Sequence, residues 1–378
     1  MRWKNYGVLV VLLGRFGMID PRFWKGKKVL ITGHTGFKGS WLSIWLLKLG
    51  ANVIGFGLDP NTKKDNFVLS GLSAKLADIR GDIRDKSLLE KVITDYRPEI
   101  IFHLAAQPLV RYSYKKPIET YDVNVMGTIN VMECIRSFDS VITGIMVTTD
   151  KCYENKEQIW GYRECDSMGG YDPYSSSKAA AEIAIGSWRN SFFNPDKYNE
   201  HGKAIASVRA GNVIGGGDWS TDRIIPDCIR AIEAGRPIEI RNPKAIRPWE
   251  HVLEPLSGYI LLAQKMHENP KLFADAWNFG PSFDSILSVS DIVSSIIEIY
   301  GKGCMKTISL SDALHEAQIL LLDITKAQQK LNWKPRLSSM DMLKMVVDWY
   351  RDYRDIDIFG LCESQIDNFS KRIPNDVI

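Results

Sequence analysis

Tyr174 and Lys178 have the types and the spacing for proton transfer to and from an alcohol. They lie four residues apart in Tyr174-Ser-Ser-Ser-Lys178, at the start of a predicted helix, so both side chains share one helical face. An ammonium beside a phenol favours the phenolate and lowers a pKa that is ordinarily about 10. Such a phenol can accept a proton from an alcohol while a hydride leaves for a nicotinamide. The spacing is common by chance, and a solvent-facing pair is the alternative.

A glycine-rich loop lies between a predicted strand and a predicted helix near the N-terminus. In Gly33-His-Thr-Gly36-Phe-Lys-Gly39 the first glycine allows a tight turn, the second lets a pyrophosphate approach the backbone, and the third lets helix and strand pack closely. The helix N-terminus then presents unpaired N–H groups to the phosphates. Glycines also occur in plain turns, but the flanking strand and helix favour a dinucleotide site. The candidate residues of this loop are Gly33, Thr35, Gly36, Phe37, Lys38 and Gly39.

An acidic residue follows the loop at a position suited to the adenosine half of a dinucleotide. Asp59 lies 20 residues beyond Gly39, at the end of the second predicted strand, where a carboxylate can bind the ribose hydroxyls. It favours NAD over NADP, because it would repel the 2′-phosphate of NADP. Two alternatives stay open: Asp59-Pro60 could simply begin a turn, and Lys63 and Lys64 would suit NADP.

These residues need a scaffold in which short apolar strands alternate with amphipathic helices. The first two thirds of the chain have this alternation, which is typical of a parallel sheet with helices on both faces. Gly50 is placed to end the first long helix, and Asp172-Pro173 to begin the helix of Tyr174. The fold class is therefore α/β, a Rossmann-type doubly wound parallel sheet with a smaller C-terminal substrate-binding lobe. The predicted strands are 27–33, 52–59, one ending near 82, 99–105, 144–149, 204–209, 238–240 and 276–280; the predicted helices are 38–49, 86–96, 118–137, one from 173, 223–234 and 340–350.

The same pattern predicts how the chain is divided. Residues 18–217 form the dinucleotide-binding domain, to which the chain returns around 248–281, while 218–247 and 282–355 form the lobe over the carboxyl edge of the sheet. Residues 356–378 are a C-terminal tail, and 1–17 an extension outside the fold. The apolar run 7–14 follows basic residues, as in a signal peptide. It is shorter than the about 18 to 20 residues that span a bilayer, and no small-residue cleavage site follows. A segment that touches a membrane is the alternative interpretation.

Composition excludes several classes of protein. The 378 residues are 45% hydrophobic and 25% charged, as in an ordinary globular protein of two or three units. A net charge of +3 is too balanced for a nucleic-acid-binding or membrane-surface protein. The six cysteines contain no C-x-x-C pair, which is typical of reduced thiols in a cytoplasmic protein. No H-E-x-x-H pattern occurs among the six histidines, so we expect no metal.

Several motifs together resemble the extended short-chain dehydrogenase/reductase family, in the branch that acts on nucleotide sugars. The resemblance extends from Gly26 to Tyr350 and includes the glycine loop, the Tyr174/Lys178 pair, 103–107 and 209–212. It implies NAD as a built-in cofactor, with the sugar nucleotide under the C-terminal lobe. Asp82 would face the adenine amino group, although it could equally cap its own loop. The further cofactor contacts that the resemblance implies are Asp82, Ile83, Leu104, Ala105, Ala106, Asn124 and Thr148.

The stretch Thr148-Thr149-Asp150-Lys151 distinguishes between branches of this family. The similar 4-epimerases usually have small residues at the last two positions, whereas 4,6-dehydratases have an acid first and mostly glutamate second. Lys151 departs from that pattern, and with the stretches 34–39, 106–111, 150–153, 160–163, 215–219 and 247–252 it resembles the dehydratases that act on CDP-glucose. The resemblance implies formation of a 4-keto-6-deoxy sugar, in deoxysugar biosynthesis for lipopolysaccharide O-antigen.

This chemistry assigns a role to each residue of the stretch. The C5 proton of glucose becomes acidic only when C4 is a ketone, so Tyr174 takes the C4 hydroxyl proton first while Thr149 fixes that hydroxyl. Lys151 is the candidate base for the C5 proton, and Asp150 protonates the departing C6 hydroxyl. Lys151 would need a lowered pKa, which desolvation and nearby positive charges favour and Asp150 opposes. The alternative is a lysine that only pairs with Asp150 or a phosphate.

The remaining predictions concern the substrate and partners. Arg247 and His251 are the candidate diphosphate and ribose contacts, supported by Asn212 and Arg223, because arginine offers a rigid fork of donors. Each arginine could instead be a solvated surface charge. Two further candidates, Gln107 and Arg111, would line the sugar pocket or belong to a structural loop. We also expect a cytoplasmic homodimer that pairs helices 118–137 and 173–189. The alternatives are an epimerase or dehydratase for another nucleotide sugar, and a non-catalytic dinucleotide sensor.

Overall fold

The structure, a computed structural model, describes residues 17–282, 286–308 and 319–372. The expected N-terminal extension lies outside the described residues except for residue 17. Within the described part of the chain, no helix has the length and apolar character needed to cross a membrane.

A seven-stranded parallel sheet forms the centre of the molecule. Its order is β10-β6-β5-β4-β1-β2-β3, and every neighbouring pair is parallel. The predicted doubly wound sheet is therefore confirmed, including the return of the chain to its edge after residue 270. The strands are β1 (Lys28–Thr32), β2 (Asn52–Gly57), β3 (Ala77–Arg80), β4 (Ile100–His103), β5 (Thr143–Val147), β6 (Ala204–Ala210) and β10 (Ala276–Phe279).

Helices cover both faces of this sheet. Alternate residues of β1 point to opposite faces, so Val29 and Ile31 join one buried cluster and Leu30 joins the other. A segment of π-helix, Asp122–Met126, connects α6 to α7, so the helix predicted over 118–137 is nearly continuous. The helices are α1 (Pro21–Trp24), α2 (Phe37–Lys48), α3 (Asn66–Leu69), α4 (Lys86–Tyr96), α5 (Val110–Lys115), α6 (Pro117–Tyr121), α7 (Gly127–Ser137), α8 (Pro173–Ser191), α9 (Tyr198–His201), α10 (Ile224–Glu233), α11 (Leu253–Glu268), α12 (Pro270–Phe273), α13 (Val289–Tyr300), α14 (Ser339–Asp352) and α15 (Ile358–Ser370).

Two smaller sheets lie beyond the carboxyl edge. One has the order β11-β9-β7 and the other pairs β12 with β8. Their strands are β7 (Asn212–Ile214), β8 (Ile238–Ile240), β9 (Ile246–His251), β11 (Ile286–Ser288) and β12 (Met305–Thr307). Together with α10, α13 and α14 they belong to the segments that the sequence analysis assigns to a substrate lobe. That division into domains stays a prediction.

The C-terminal segment contains a helix that the sequence analysis did not anticipate. Helix α15 packs on α2, with the Phe369 ring edge-on to Trp45 at 5.7 Å between centroids. Asp357 caps its N-terminus by accepting hydrogen bonds from the N–H groups of Phe359 and Gly360. The contact is tertiary, so the local pattern of the segment did not reveal it.

Helix α8 begins where its capping residues predict. The Asp172 carboxylate accepts hydrogen bonds from the Ser175 N–H at 3.0 Å and the Ser175 hydroxyl at 2.6 Å. Pro173 occupies the first helical position, where a missing N–H costs nothing. The cap fixes the register of the first turn, which contains Tyr174.

A buried ion pair connects α8 to the sheet one turn beyond Lys178. The Arg209 guanidinium donates to the Glu182 carboxylate at 2.7 Å, and both side chains are almost wholly buried. Glu182 also accepts hydrogen bonds from Thr148 at 2.5 Å and Ser207 at 2.8 Å. Burial acts to raise the pKa of Glu182, but the Arg209 charge and these hydrogen bonds outweigh it and lower the pKa. The pair therefore holds α8, β5 and β6 together.

We expect Glu182→Gln to reduce the free energy of unfolding by about 3 to 5 kcal/mol, because it leaves the Arg209 charge buried and unpaired. Urea denaturation monitored by circular dichroism measures this change. Because the folded pKa of Glu182 is lowered, its contribution is present above its ordinary pKa and is lost as the pH falls below it. The control is Asp95→Asn, which breaks the exposed Lys91–Asp95 pair. If Glu182→Gln unfolded at the same urea concentration as this control, the stabilising role of the Glu182–Arg209 pair would be contradicted.

Candidate active site

The candidate site lies at the carboxyl ends of β1, β4 and β5. The loop after β1 turns back at Gly33, which has a φ of +76°. A Cβ on Gly33 would stand 2.7 Å from the backbone nitrogen of Ala105, and one on Gly39 would overlap the carbonyl oxygen of Gly33. Both positions therefore require glycine, and the backbone of β1, β4 and α2 comes close together. This is the cradle that a dinucleotide pyrophosphate needs at a helix N-terminus.

The adenosine end of the cradle is open and charged. Asp59 follows β2 with an exposed side chain, 3.7 Å from the Arg80 guanidinium at the end of β3. The Thr35 hydroxyl donates to the carbonyl of Leu58 and holds the loop against this end. Arg80 is a residue that the sequence analysis missed, because no motif marked it.

The carboxylate of Asp82 has a local partner. It accepts hydrogen bonds from the Arg84 guanidinium at 2.7 Å and from the Arg84 N–H at 2.9 Å. These contacts are those of the loop cap that the sequence analysis left open. Ile83 beside it is buried against Gly127 of α7.

The segment after β4 contains several of the residues that were predicted to contact the cofactor. Leu104, Ala105 and Ala106 lie half-buried at the strand end. Asn124 is buried; it accepts from the Gln107 N–H at 2.8 Å and donates to the Gln107 carbonyl at 3.1 Å, so it fixes this loop. The Gln107 side chain forms hydrogen bonds to nearby residues, as expected if this segment is a structural loop.

Tyr174 and Lys178 face the same buried cleft, and Thr148 and Thr149 lie beside them at the end of β5. The Lys178 ammonium donates to the Val147 carbonyl at 3.3 Å. Tyr174 and Thr149 are both buried, and Thr149 acts to lower the pKa of the Tyr174 phenol. The helical spacing predicted for the pair is therefore realised on the first two turns of α8.

Burial dominates the protonation of both groups. It raises the pKa of Tyr174 to about 12, although the Thr149 hydrogen bond acts in the opposite direction. It lowers the pKa of Lys178 to about 8, and the charge of Lys38 contributes to that shift. The lowering of the tyrosine pKa that the pairing suggested is thus absent, because loss of solvent is the largest influence on this phenol.

Thr149 lies next to the candidate acid. Its hydroxyl donates to Asp150 at 2.9 Å. Asp150 is buried, and burial raises its pKa, although the charge of Lys151 opposes this. A carboxyl whose pKa is raised can keep a proton for donation. The Lys151 side chain is exposed, whereas the expected base would be desolvated.

The sequence analysis gave no catalytic role to two charged residues of this region, Lys38 and Glu250. Burial lowers the pKa of Lys38, in the first turn of α2, to about 8, and the charges of Glu250 and Asp150 oppose this shift. Its expected place in the cofactor loop stays a prediction. Glu250 is buried in β9, and burial raises its pKa well above the ordinary value. The sequence signal that could have singled out Glu250 is a glutamate between Trp249 and His251, in a strand that is otherwise buried.

The candidate nucleotide contacts lie on several different elements. Arg223 precedes α10 and donates to Asp218 at 2.8 Å. Arg111 lies 3.3 Å from Asp222, and the half-buried Arg247 side chain donates to a backbone carbonyl at 2.8 Å. Asn212 begins β7 and pairs in register with β9.

His251 has a different environment from the other candidate nucleotide contacts. It is fully buried, and its ring packs edge-on to Trp41 at 6.0 Å. Its Nδ1 accepts from the Leu253 N–H at 3.3 Å, and burial lowers its pKa to about 3. The structure therefore places this histidine in the core beside α2 rather than on the cleft surface.

The part of the chain that the structure describes contains no cluster of three or more histidine, cysteine or acidic side chains arranged to hold a metal ion. The cleft instead combines a dinucleotide cradle with a phenol, an ammonium and a buried carboxyl. This set can transfer protons to and from a sugar held against a bound nicotinamide.

Comparison with known proteins agrees with this chemistry. The family model described as GDP-mannose 4,6 dehydratase matches residues 30–346. The chain is 49% identical over 334 residues to CDP-glucose 4,6-dehydratase of Salmonella typhimurium, covering 88% of this chain and 93% of that protein. It is 28% identical to CDP-paratose 2-epimerase of Salmonella typhi, over 85% of this chain and 98% of that protein.

A solved structure supports the fold. dTDP-glucose 4,6-dehydratase from Bacillus anthracis, in complex with NAD, superposes with a TM-score of 0.71 at 21% identity, covering 86% of this chain and 97% of that one. The match to the family model covers most of the chain, and the Salmonella typhimurium relative exceeds the identity at which family membership is secure. The chain therefore belongs to the nucleotide-sugar 4,6-dehydratases of the extended short-chain dehydrogenase/reductase family.

Proposed function

We propose that this protein catalyses the NAD-dependent dehydration of CDP-glucose to CDP-4-dehydro-6-deoxyglucose. The observation that supports the reaction type is the buried Asp150 carboxyl, which accepts a hydrogen bond from Thr149 at 2.9 Å, together with the buried Tyr174 and Lys178. The similarity to the Salmonella typhimurium protein supports CDP-glucose as the substrate. The role would be in deoxysugar biosynthesis for O-antigen, in the cytoplasm.

The residues around the glycine loop fit NAD. Gly33 and Gly39 leave room for the pyrophosphate, and Asp59 is exposed at the ribose end. When bound, NAD supplies a hydride acceptor for C4 and afterwards a hydride donor for C6. The other residues proposed to line its site are Thr35, Gly36, Phe37, Lys38, Asp82, Ile83, Leu104, Ala105, Ala106, Asn124, Thr148, Tyr174 and Lys178.

Tyr174 takes the proton of the C4 hydroxyl in the first step, and Thr149 orients that hydroxyl. Because burial raises the pKa of Tyr174 to about 12, the phenolate needs positive charge beside it. Lys178 on the same face of α8 supplies that charge, and its own lowered pKa lets it yield or regain a proton near neutral pH. The step converts C4 to a ketone, which acidifies the proton at C5.

Elimination follows at C5 and C6. Lys151 is the proposed base for the C5 proton, and Asp150 gives its proton to the C6 hydroxyl, which leaves as water. Burial raises the pKa of Asp150, which favours the protonated form that this step needs. Lys151 is exposed, so the bound sugar must cover it for its ammonium to be desolvated.

The nucleotide is proposed to lie between the sheet and the lobe of 218–247 and 282–355. Arg223 and Arg247 are the proposed diphosphate contacts, and Asn212 and Arg111 lie on the same side of the cleft. Arg223 is already paired with Asp218, which holds its guanidinium in place. We do not extend this assignment to His251, which is buried against Trp41.

We expect purified protein to remove water from CDP-glucose without added reductant, with a kcat/KM about tenfold or more above that for dTDP-glucose. The reason is Lys151 with its surrounding motifs and the 49% identity to a CDP-glucose enzyme. Mass spectrometry of parallel incubations with CDP-, dTDP-, UDP- and GDP-glucose measures the water loss. Equal turnover of CDP- and dTDP-glucose would contradict the substrate assignment, and a C4 epimer without water loss would contradict the reaction type.

We expect Lys151→Ala to reduce the bound cofactor with CDP-glucose and then to stop. Product formation should fall by about 10² to 10⁴-fold, the usual contribution of a general base. Absorbance of the reduced nicotinamide and deuterium exchange at C5 in heavy water separate the two steps. Lys156→Ala removes an exposed lysine of the same loop and serves as the matched control. Normal C5 exchange in Lys151→Ala would show that another group is the base.

We further propose a homodimer formed through α6, the adjoining π-helix, α7 and α8. Large apolar side chains on these helices are exposed, among them Ile118 at 85% and Ile183 at 65%. An unpartnered apolar surface of this kind favours association with a second copy. Pairing of these helices would leave the carboxyl edge of the sheet open to substrate.

Ile118→Glu combined with Ile183→Glu should convert the dimer to a monomer, because two carboxylates per subunit would be buried in the interface. Sedimentation velocity at micromolar concentration measures the change. Leu272→Glu, at another exposed apolar position, is the control and should leave the dimer intact. A wild-type protein that sediments as a monomer would rule out the proposed interface.

A further inference from the structure

Tyr153 ends the turn that carries the proposed acid and the proposed base, and the mechanism above gives it no role. This turn, Asp150–Cys152, is a single turn of 3₁₀-helix that follows β5. The Tyr153 N–H donates to the Asp150 carbonyl at 3.3 Å and closes the turn. The Tyr153 side chain is only 1% exposed. A buried tyrosine needs partners for its hydroxyl, and these partners show what the residue holds in place.

The Tyr153 hydroxyl lies between two strands that are distant along the chain. It accepts a hydrogen bond from the Arg209 guanidinium of β6 at 2.6 Å. It donates to the side-chain oxygen of Asn278, on β10, at 2.8 Å. Both partners are buried. Because the hydroxyl accepts from one side and donates to the other, its position is fixed from two directions.

Arg209 connects this hydroxyl to the helix of the proposed proton acceptor. One nitrogen of its guanidinium donates to Tyr153, and another donates to Glu182 of α8 at 2.7 Å. Glu182 lies one turn beyond Lys178 on that helix. The rigid plane of the guanidinium holds its two acceptors at a fixed separation. The turn that begins at Asp150 is therefore tied to α8 through three buried side chains.

Asn278 fixes the other side of the hydroxyl. Its amide nitrogen donates to the Tyr162 carbonyl at 2.8 Å and to the Asp323 carbonyl at 3.1 Å, which leaves its oxygen for Tyr153. The rings of Tyr153 and Tyr162 are stacked at 5.2 Å between centroids. The Arg209 guanidinium lies 5.0 Å from the centre of the Tyr153 ring. The ring contacts hold the plane of the side chain, and the hydrogen bonds hold its end.

The residues proposed for the first chemical step are held by other contacts. Tyr174 belongs to α8, which has its own N-terminal cap and its own ion pair to β6. Thr149 follows Thr148, whose N–H donates to the Val208 carbonyl of β6 at 2.9 Å. None of these contacts needs the Tyr153 hydroxyl. Its removal should therefore leave the residues of C4 oxidation in place.

The residues proposed for the elimination depend on the turn itself. Asp150 is its first residue, and the Asp150 carboxylate accepts from the Thr149 hydroxyl at 2.9 Å. The Lys151 side chain is exposed, so the backbone of the turn sets the direction in which it leaves the chain. A misplacement of about 1 Å can cost a reaction about 10²-fold in rate. A turn without its anchor would thus present the acid and the base less accurately.

We propose that Tyr153 is a positioning residue, which through Arg209 and Asn278 keeps the turn of Asp150 and Lys151 in a fixed place relative to α8. This role rests on the proposed dehydration and concerns its second half. Tyr153 itself transfers no proton, because its buried hydroxyl is engaged on both sides. Loss of the hydroxyl should slow the removal of water across C5 and C6 and leave the oxidation of C4 unchanged.

Tyr153→Phe removes only the hydroxyl and keeps the stacked ring. In a single turnover of the holoenzyme with CDP-glucose, absorbance of the reduced nicotinamide should rise at the wild-type rate. It should then decay about 10 to 10² times more slowly than in wild-type protein. A purely structural defect would lower the amplitude, because less enzyme is active, without changing either rate constant. Equal slowing of both phases, or an unchanged decay, would overturn the proposal.

Two matched variants remove a tyrosine hydroxyl that does not contact the turn. Tyr162→Phe keeps the same pair of stacked rings, and the hydroxyl that it removes contacts the Lys156 N–H and Asn155. Tyr259→Phe removes a buried hydroxyl that has no hydrogen-bond partner among the described residues. Both should show the wild-type rise and decay. A decay slowed as much in these variants as in Tyr153→Phe would overturn the proposal.

A second variant approaches the same hydroxyl from β10. Asn278→Ser removes the acceptor of the Tyr153 hydroxyl and decides the test if Tyr153→Phe does not fold. It should also slow the decay of the reduced nicotinamide and not its rise. An unchanged decay in folded Asn278→Ser protein would overturn the proposal.

Amide hydrogen exchange measures the turn without any turnover. The N–H groups of Lys151, Cys152 and Tyr153 donate to Thr149 and Asp150 within the turn. Peptides that contain residues 150–153 should exchange about tenfold faster in Tyr153→Phe than in wild-type protein or Tyr259→Phe, because opening the turn costs less. An unchanged exchange rate would overturn the proposal. Faster exchange, together with failure of wild-type protein to dehydrate CDP-glucose, would count against the proposed function alone.

Discussion

The buried ion pair between Glu182 and Arg209 connects the helix of Tyr174 and Lys178 to the strands that end at the cleft. Glu182 lies one turn beyond Lys178 and also accepts from Thr148, the residue before Thr149. Arg209 in turn donates to the hydroxyl of Tyr153, which follows the turn of Asp150. A small shift of α8 would therefore move the phenol and the acid relative to each other, and the pair prevents it.

Loss of solvent is the second constraint on the site. It moves the pKa of Tyr174, Lys178 and Asp150 towards the neutral form of each group. A neutral phenol and a neutral carboxyl attract each other only weakly. Both can, however, exchange protons with a sugar that must first lose and later receive protons. Positive charge must then be supplied locally, and the charges of Lys151 and Lys38 both act against the raised pKa of Asp150. The site thus combines side chains removed from solvent with a few lysines, whose positive charge compensates a negative charge that forms during the reaction.

Features that depend on neighbouring residues could be predicted from the sequence, and features that depend on tertiary packing could not. The cap at Asp172, the turn at Gly33 and the strand alternation follow local rules, and the structure confirms the parallel sheet they imply. The burial of His251 depends on how Trp41 of α2 packs against it, which only the tertiary structure shows. The helix over 358–370 was missed for the same reason. Partners such as Arg209 and Glu182 lie 27 residues apart and meet only in the fold.

In the proposed reaction, a bound NAD would accept the hydride from C4 and return it to C6 of the same sugar, while the residues of this chain move only protons. Incubation of the protein with CDP-glucose deuterated at C4, mixed with unlabelled CDP-glucose carrying a carbon-13 hexose, tests it by NMR and mass spectrometry of the product. We expect deuterium at C6 of the 4-keto-6-deoxy sugar, and only in product molecules whose CDP-glucose carried deuterium at C4. Deuterium lost to solvent, or found in the carbon-13 product, would contradict it.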